Sequence, residues 1–252
     1  MPIARTTRLI HNDPMSLPAP PARPWTPVAL ATDAVVFGLD LEAGRLHVLL
    51  IERGIEPFKG RWALPGGFVR DEDLDACVRR ELAEETGVEL VWLEQLYTFG
   101  APARDPRGRV VTVAYWGIVR PEQVRLEATT DARRAAFHPV EALPALAFDH
   151  DQIVAAALQR LRSKLHWQPV GVWLLPEQFT LVELERVYEV LSGAPVDRGN
   201  FRKKIRPYVE RGVIAATGTE RKAASAGRPA ALYRFDRGAW AAMVEAGADF
   251  EV

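Results

Sequence analysis

Between Gly66 and Val88 the chain reads GGFVRDEDLDACVRRELAEETGV, and its acids fall where a helix would stack them. Glu81, Glu84 and Glu85 are spaced i, i+3 and i+4, so a helix over Leu74–Thr86 sets all three on one side. Leu74, Cys77, Val78 and Leu82 then form a separate apolar side, and Gly87 is the stop signal. Like charges this close repel one another. A solvated acidic face is one outcome. The other is a hard divalent cation such as Mg²⁺, which takes oxygen ligands and bridges to phosphate groups. The Gly66–Gly67 pair ahead of the helix favours the second, because backbone without side chains approaches a ligand closely. Arg80 stands four residues before Glu84, within reach of a salt bridge that orients it.

The segments around this stretch predict a mixed α/β domain. Residues 1–27 include SLPAPPARPWTP, a proline-rich tail expected to be flexible or polyproline-like. VALATDAVVFGLD and RLHVLLIER read as paired strands, LEQLYTFG, VVTVAYWGIV and AAFHPVEAL as further strands and a crossover, and HDQIVAAALQRLRSKL as a helix. The texture changes near HWQPVGVWLLPEQ, which divides the chain into domains at 28–166 and 167–252. In the second, TLVELERVYEVLSG is an amphipathic helix with Thr180 as N-cap and Gly193 as stop. NFRKKIRPYVERG is a second helix, with Pro207 expected to bend it or mark its first turn. VIAATG and GRPAALYRF pair as a hairpin with a long polar tip. Cys77 is the sole cysteine, which excludes a disulfide framework and points to a reducing compartment, the cytoplasm. No apolar run approaches the roughly 20 residues that a membrane helix needs, so no membrane association is expected.

Gly66, Glu72, Arg80, Glu81, Leu82, Glu84, Glu85, Gly87 and Val88 match every fixed position of the Nudix box, G-x5-E-x7-R-E-U-x-E-E-x-G-U, in which U is bulky and aliphatic. The chain thus resembles the Nudix hydrolases, and LPGGFV is similar to the ADP-ribose pyrophosphatase branch. The resemblance implies an α/β/α sandwich, with Glu81, Glu84 and Glu85 as metal-ligand positions, Glu84 and Glu85 as the catalytic ones if the box is active, and a nucleoside diphosphate as ligand. One feature departs from the pattern. In most Nudix hydrolases the second glycine begins the box, whereas here the spacing works only from Gly66, so the loop after Gly67 is one residue short. A misplacement of about 1 Å can lower a rate by roughly a hundredfold, so binding can survive where hydrolysis does not.

Beyond the box, the expected ligand contacts are Arg53, Gly66, Gly67, Phe68, Arg80, Arg104 and Arg107, with Arg109 on the same loop as the last two. Guanidinium groups grip phosphates bidentately, and Phe68 or Phe99 offers a ring for adenine. His47, His138 and His150 have no ligand spacing and receive no role, and Glu127, Asp131 and Glu141 are candidate general bases by position only.

The formal net charge is −1, but its distribution is uneven. From Arg198 to Arg237 there are eleven Lys or Arg against three acids, 11 − 3 = +8. A near-neutral chain that concentrates charge in this way is expected to meet a polyanion. DRGNFRKKI begins the second helix of a helix–loop–helix, the part that enters a major groove in helix-turn-helix proteins. Arg198, Asn200, Arg202, Lys203, Lys204 and Arg206 are the candidate DNA contacts on it. Asn200 and Arg202 are suited to base edges, and Lys203, Lys204 and Arg206 to phosphates. Arg221, Lys222 and Arg228 belong to a wing along the DNA backbone.

LPGGFVRDEDL, LLPEQFTLVELERVYE, GNFRKKI and GRPAALYRF together resemble the Nudix-related transcriptional regulators of NAD metabolism, over about residues 28–237. That resemblance implies a Nudix sandwich followed by a C-terminal winged helix-turn-helix domain, a homodimer on a palindromic operator, and release of DNA by ADP-ribose or a related nucleotide. The family's Nudix domain generally senses rather than hydrolyses, yet the box here is complete. A Mg²⁺-dependent ADP-ribose pyrophosphatase therefore stays open as an alternative, and an RNA-processing Nudix protein as a weaker one. The latter would call for stacking aromatics, and Phe201, Tyr208, Tyr233 and Phe235 instead fit core positions.

Overall fold

The computed structural model describes residues 27–88, 90, 92–119, 132–165, 169–222 and 229–247. Its organising element is β1 (Ala29–Asp40), buried on both faces, which its nearly continuous apolar sequence requires. β1 pairs antiparallel with β2 (Arg45–Arg53) and parallel with β6 (Val110–Ile118). β3 (Trp62–Ala63) and β5 (Trp92–Phe99) complete the order β3-β2-β1-β6-β5, while β4 (Gly66–Phe68) pairs with β1 and β7 (Ala132–Pro139) with β2.

Alternate residues of β1 feed two cores. Ala34 and Val36 face Val78 and Leu82 of α1 (Leu74–Thr86). Val35, Phe37 and Leu39 join Trp116 of β6 and Ile153, Ala157 and Leu161 of α2 (His150–Lys164). A helix therefore covers each face of the sheet, as the α/β/α expectation required. The predicted bounds of α1 are met. Asp73 caps it by accepting from the Ala76 N–H at 2.9 Å, and Gly87 ends it with a left-handed φ of 65°.

The second unit contains α3 (Leu181–Ser192), α4 (Arg198–Glu210), the hairpin β8 (Ile214–Arg221) and β9 (Ala230–Phe235), and α5 (Arg237–Glu245). Thr180 and Glu183 form a reciprocal capping box on α3, and Asp197 caps α4 through the Asn200 N–H. An isolated bridge between Phe179 and Tyr233 adds a third backbone segment beside the hairpin. Pro207 lies inside α4, three residues from its end, rather than in its first turn. Helix α5 was not anticipated. Asp236, which caps it by accepting from the Ala239 N–H, is the local signal that could have found it.

The region around residue 170 is not a loose connection. Val170, Val172 and Leu174 form a buried 3-10 turn, and the apolar cluster of α2 runs on through Leu184, Val187 and Leu191 of α3 to Phe201 and Ile205 of α4. The two units share one core. The proline-rich tail up to residue 26, the tip of the hairpin with Arg228, and Glu127 and Asp131 lie outside the described residues. Among the described residues no helix is long and apolar enough to cross a membrane.

Candidate ligand cleft and nucleic-acid face

A cleft of about 710 Å³ opens where β1, β2, β4, α1 and the start of α2 meet. Glycine is needed twice at its back. A Cβ on Gly66 would lie 2.2 Å from the Thr32 carbonyl oxygen of β1, and one on Gly67 would lie 2.4 Å from the Glu81 carboxylate. Any side chain there would part β4 from β1 or expel Glu81.

Glu81, Glu84 and Glu85 all line the cleft, as their spacing predicted. Glu85 is buried and accepts from the Gly66 N–H at 2.9 Å. Burial pushes its carboxyl up to about 8; the Gly66 hydrogen bond opposes the shift, and the nearby charges of Glu81 and Asp33 add to it. Arg80 organises the other two. Its guanidinium donates to Glu72 through Nε at 3.1 Å, to Glu81 at 2.7 Å and to Glu84 at 3.3 Å. The pairing holds Glu72 down at about 2 and raises Arg80 above its ordinary value. Arg80 is thus a brace behind the glutamates rather than a lining residue, a correction to its expected ligand contact. Oxygen donors of this kind suit a divalent cation shared with a phosphate ligand. Among the described residues, however, no three His, Cys, Asp or Glu side chains converge as a ready-made metal cage, and Arg80 pairs with both Glu81 and Glu84.

The arginines divide into two kinds. Arg104 is buried and bound to both oxygens of Asp149, at 2.9 and 2.7 Å, with Asp33 at 3.4 Å. It lines the cleft wall already paired with these two acids. Arg109 donates to the Gly100 carbonyl at 2.6 Å and does not line the cleft. Phe99 packs edge-on against Tyr97 instead of facing the cleft. Arg107 pairs with Asp105, whose carboxyl stays below its usual range despite burial because of that pairing, and lies 5.0 Å over the ring of Phe68.

Arg53 is different. Its Nε donates to the Pro57 carbonyl at 2.8 Å and its guanidinium sits 4.7 Å over Phe148, but its buried Nη2 has no acceptor. Burial first, and then the charge of Arg107, lowers its affinity for its proton. A buried, unpaired donor of this type costs about 1–3 kcal/mol, which an anionic ligand would relieve. Phe68, 42% exposed, also lines the cleft, with Arg107 over its ring.

Asp33, Phe148 and His150, to which the sequence assigns no role, also line the cleft. No spacing links them. An acid inside an apolar strand was the one signal for Asp33. His150 accepts the Leu64 N–H on Nδ1 at 2.8 Å, which puts the ring proton on Nε2, 3.5 Å from Asp33. With its acceptor nitrogen taken by Leu64, His150 in this tautomer has no free lone pair to serve as a general base. Glu141 is exposed on the 3-10 turn after β7, away from the cleft. Burial lowers the proton affinity of His150, with Asp33 and Asp149 opposing this and Arg104 and Arg53 reinforcing it. An unfolded histidine binds a proton below about 6.5 that the folded one refuses, so stability falls as pH drops through that value, by at most about 1.4 kcal/mol per unit. His150→Asn keeps an acceptor for Leu64 without titrating. Urea unfolding at pH 7.5 and 5.5 is expected to show the variant losing about 1 kcal/mol less than the parent over that interval.

The second surface is α4. Phe201, Ile205 and Tyr208 turn inward at helical spacing, which leaves Asn200, Arg202, Lys203, Lys204 and Arg206 exposed along the outer side. The buried aromatics argue against an RNA-stacking platform. Two of the expected DNA contacts also pair within the protein. Arg198 donates through Nε to the buried Glu185 of α3 at 2.8 Å. Arg221 binds Glu183 at 2.6 Å and the Gln178 carbonyl at 3.1 Å, tying the wing to the start of α3. Lys222 is exposed at the last described position before the hairpin tip.

Comparison with known proteins accords with this division of the chain. The Nudix domain profile matches residues 29–159 and that of the NrtR DNA-binding winged helix domain matches 171–235, so the molecule is a Nudix domain joined to a DNA-binding winged helix. The ADPR responsive transcriptional repressor NtrR of Acinetobacter baylyi is 36% identical over 211 residues, 82% of this chain and 81% of that protein. The crystal structure of Shewanella oneidensis NrtR complexed with a 27mer DNA superposes with a TM-score of 0.74 at 36% identity, covering 88% of this chain and 97% of that one. The Nudix domain of the same protein complexed with ADP ribose matches at 38% identity and a TM-score of 0.50, over 54% of this chain and 90% of that one. The chain belongs to the NrtR family of Nudix-related transcriptional regulators.

Proposed function

We propose that this chain is an ADP-ribose-responsive DNA-binding repressor, acting as a homodimer on a two-half-site operator. Arg53 and Arg107 would take the diphosphate, Phe68 would stack on the base, and Gly66 and Gly67 would let the ligand lie close to β4. Arg202, Lys203, Lys204 and Arg206, with Asn200, would enter and flank the major groove. One observation carries the reading: the cleft helix α2 and the DNA-facing pair α3–α4 bury into a single apolar cluster. Occupancy of the cleft therefore bears on where α4 sits, and half-site spacing converts a small displacement into lost contacts. A ligand acts only through different affinities for the two arrangements.

Glu81, Glu84 and Glu85 would hold Mg²⁺ shared with the diphosphate, and the ion would neutralise phosphate charge there. Hydrolysis is the second reading, favoured by the three cleft-lining glutamates. It predicts Mg²⁺-dependent AMP release that Glu84→Gln or Glu85→Gln abolishes. Against it stands the lack of a free base at His150, whose Nδ1 already accepts from Leu64. The repressor reading is tested by selecting operators from a random duplex pool with the full chain, with and without ADP-ribose. Enrichment of a palindrome only in its absence is expected. Enrichment of no sequence in either pool would overturn the reading.

A further inference from the structure

We infer that Arg104 and Asp149 form a ligand-sensitive latch on helix α2, and that Arg162 passes the state of the latch to the DNA-binding unit. The inference rests on the proposal that the cleft takes a nucleoside diphosphate and that α4 meets DNA. It concerns how one site reaches the other.

Asp149 occupies the N-cap position of α2, yet its side chain caps nothing. In the same molecule Asp73, Asp197 and Asp236 each accept a backbone N–H from their own helices. Aspartate is among the best N-caps, so the omission needs a cause. The cause is Arg104, which takes both carboxylate oxygens at 2.9 and 2.7 Å. The Asp149 side chain thus has two discrete partners available, the guanidinium or the Asp151 N–H of its own helix, since the His150, Gln152 and Ile153 N–H groups already donate to backbone carbonyls. Arg104 also lines the cleft, so a diphosphate placed there competes with Asp149 for the same cation. Ligand entry would free Asp149 to cap α2 and change how the first turn of that helix sits on the cleft wall.

The other end of α2 touches the second unit. Arg162, about 18 Å along the helix from His150 at 1.5 Å per residue, donates through Nε to the Leu191 carbonyl at 3.2 Å. Leu191 lies in the last turn of α3, where carbonyls lack partners within the helix. Helix α3 in turn holds α4 through the Tyr188–Phe201 ring contact and the Glu185–Arg198 ion pair. Arg160 and Lys164 bind Glu94 on β5, so α2 is pinned to the sheet near its C-terminal end. A change at its first turn, where His150 accepts from the Leu64 N–H on the cleft wall, would therefore act as a pivot rather than a slide. Arg162 is a positioning residue, touching neither ligand nor DNA.

Two variants of the full chain test this, Arg162→Gln and Asp149→Asn, the second able to cap but not to neutralise Arg104. Duplex affinity is measured by fluorescence anisotropy with and without ADP-ribose, ADP-ribose affinity by calorimetry, and folding by thermal melting. The parent is expected to bind DNA at least about tenfold more weakly when liganded, within the usual range of coupling between sites. Arg162→Gln should bind DNA and ADP-ribose separately within about twofold of the parent, with the coupling between them reduced to less than about twofold. A structural role alone would not remove coupling while sparing both affinities. Asp149→Asn should weaken unliganded DNA binding most of the way to the liganded parent. Full coupling in a folded Arg162→Gln protein would overturn the latch even if Asp149→Asn failed to fold. A parent that binds both ligands without coupling would instead sink the repressor reading itself.

Discussion

Replacing Lys203, Lys204 and Arg206 together by glutamine is expected to lower operator affinity by roughly a hundredfold at physiological salt and to flatten its salt dependence. Each phosphate contact releases condensed counterions, so log K falls with log salt by about 0.9 per contact, and removing three should reduce the slope by nearly three. The three side chains are exposed on α4, whose inward positions are Phe201, Ile205 and Tyr208, so the fold should be spared. Anisotropy titrations from 50 to 300 mM salt would measure both quantities. An unchanged slope would mean that α4 does not lie along the phosphates. Arg198→Ala makes an instructive contrast. It leaves the buried Glu185 carboxylate without its partner, so its loss of DNA binding should accompany a lower melting temperature, with little change in salt slope.

Arg53→Met should abolish tight ADP-ribose binding. Removing one partner of a desolvated charge pair costs about 2–5 kcal/mol, or roughly thirtyfold to several thousandfold in affinity. The Nη2 group is buried without an acceptor, the guanidinium lies over Phe148, and Arg107 and Glu85 line the same cleft. The unliganded protein should melt no lower than the parent, because the variant discards an unsatisfied buried donor along with the Pro57 hydrogen bond. Calorimetry paired with thermal melting separates the two effects. ADP-ribose affinity within threefold of the parent would place the diphosphate elsewhere.

The legible part of this chain was whatever its local pattern dictates. Glu81, Glu84 and Glu85 follow helical periodicity, Gly87 and Gly193 take the left-handed conformation that ends a helix, and Thr180 and Glu183 form their capping box, all from residues within four of one another. The spacing also put Arg80 within reach of Glu84, although its stronger hold on Glu72 and Glu81 was not foreseen. What stayed hidden depends on contacts distant along the chain. Arg104 meets Asp149 and Asp33 across 45 and 71 residues, and His150 meets Leu64 across 86. A solvated arginine and a buried, neutralised one look identical in sequence. Arg198 and Arg221 illustrate the same limit, since nothing in their basic run announces their ion pairs with Glu185 and Glu183. Nor does the Gly-Gly pair announce that Gly66 sits in β4, paired with Asp33 of β1 and donating to Glu85.

The most direct measurement adds ADP-ribose to a preformed complex of the full chain with its selected operator and follows anisotropy, while calorimetry gives the ADP-ribose affinity of the free protein. Release that saturates, with a midpoint rising in step with DNA concentration from the value set by that affinity, is the expected result for two ligands that favour different arrangements of one molecule. A complex left intact at ADP-ribose concentrations that fill the cleft would contradict a repressor worked by that ligand.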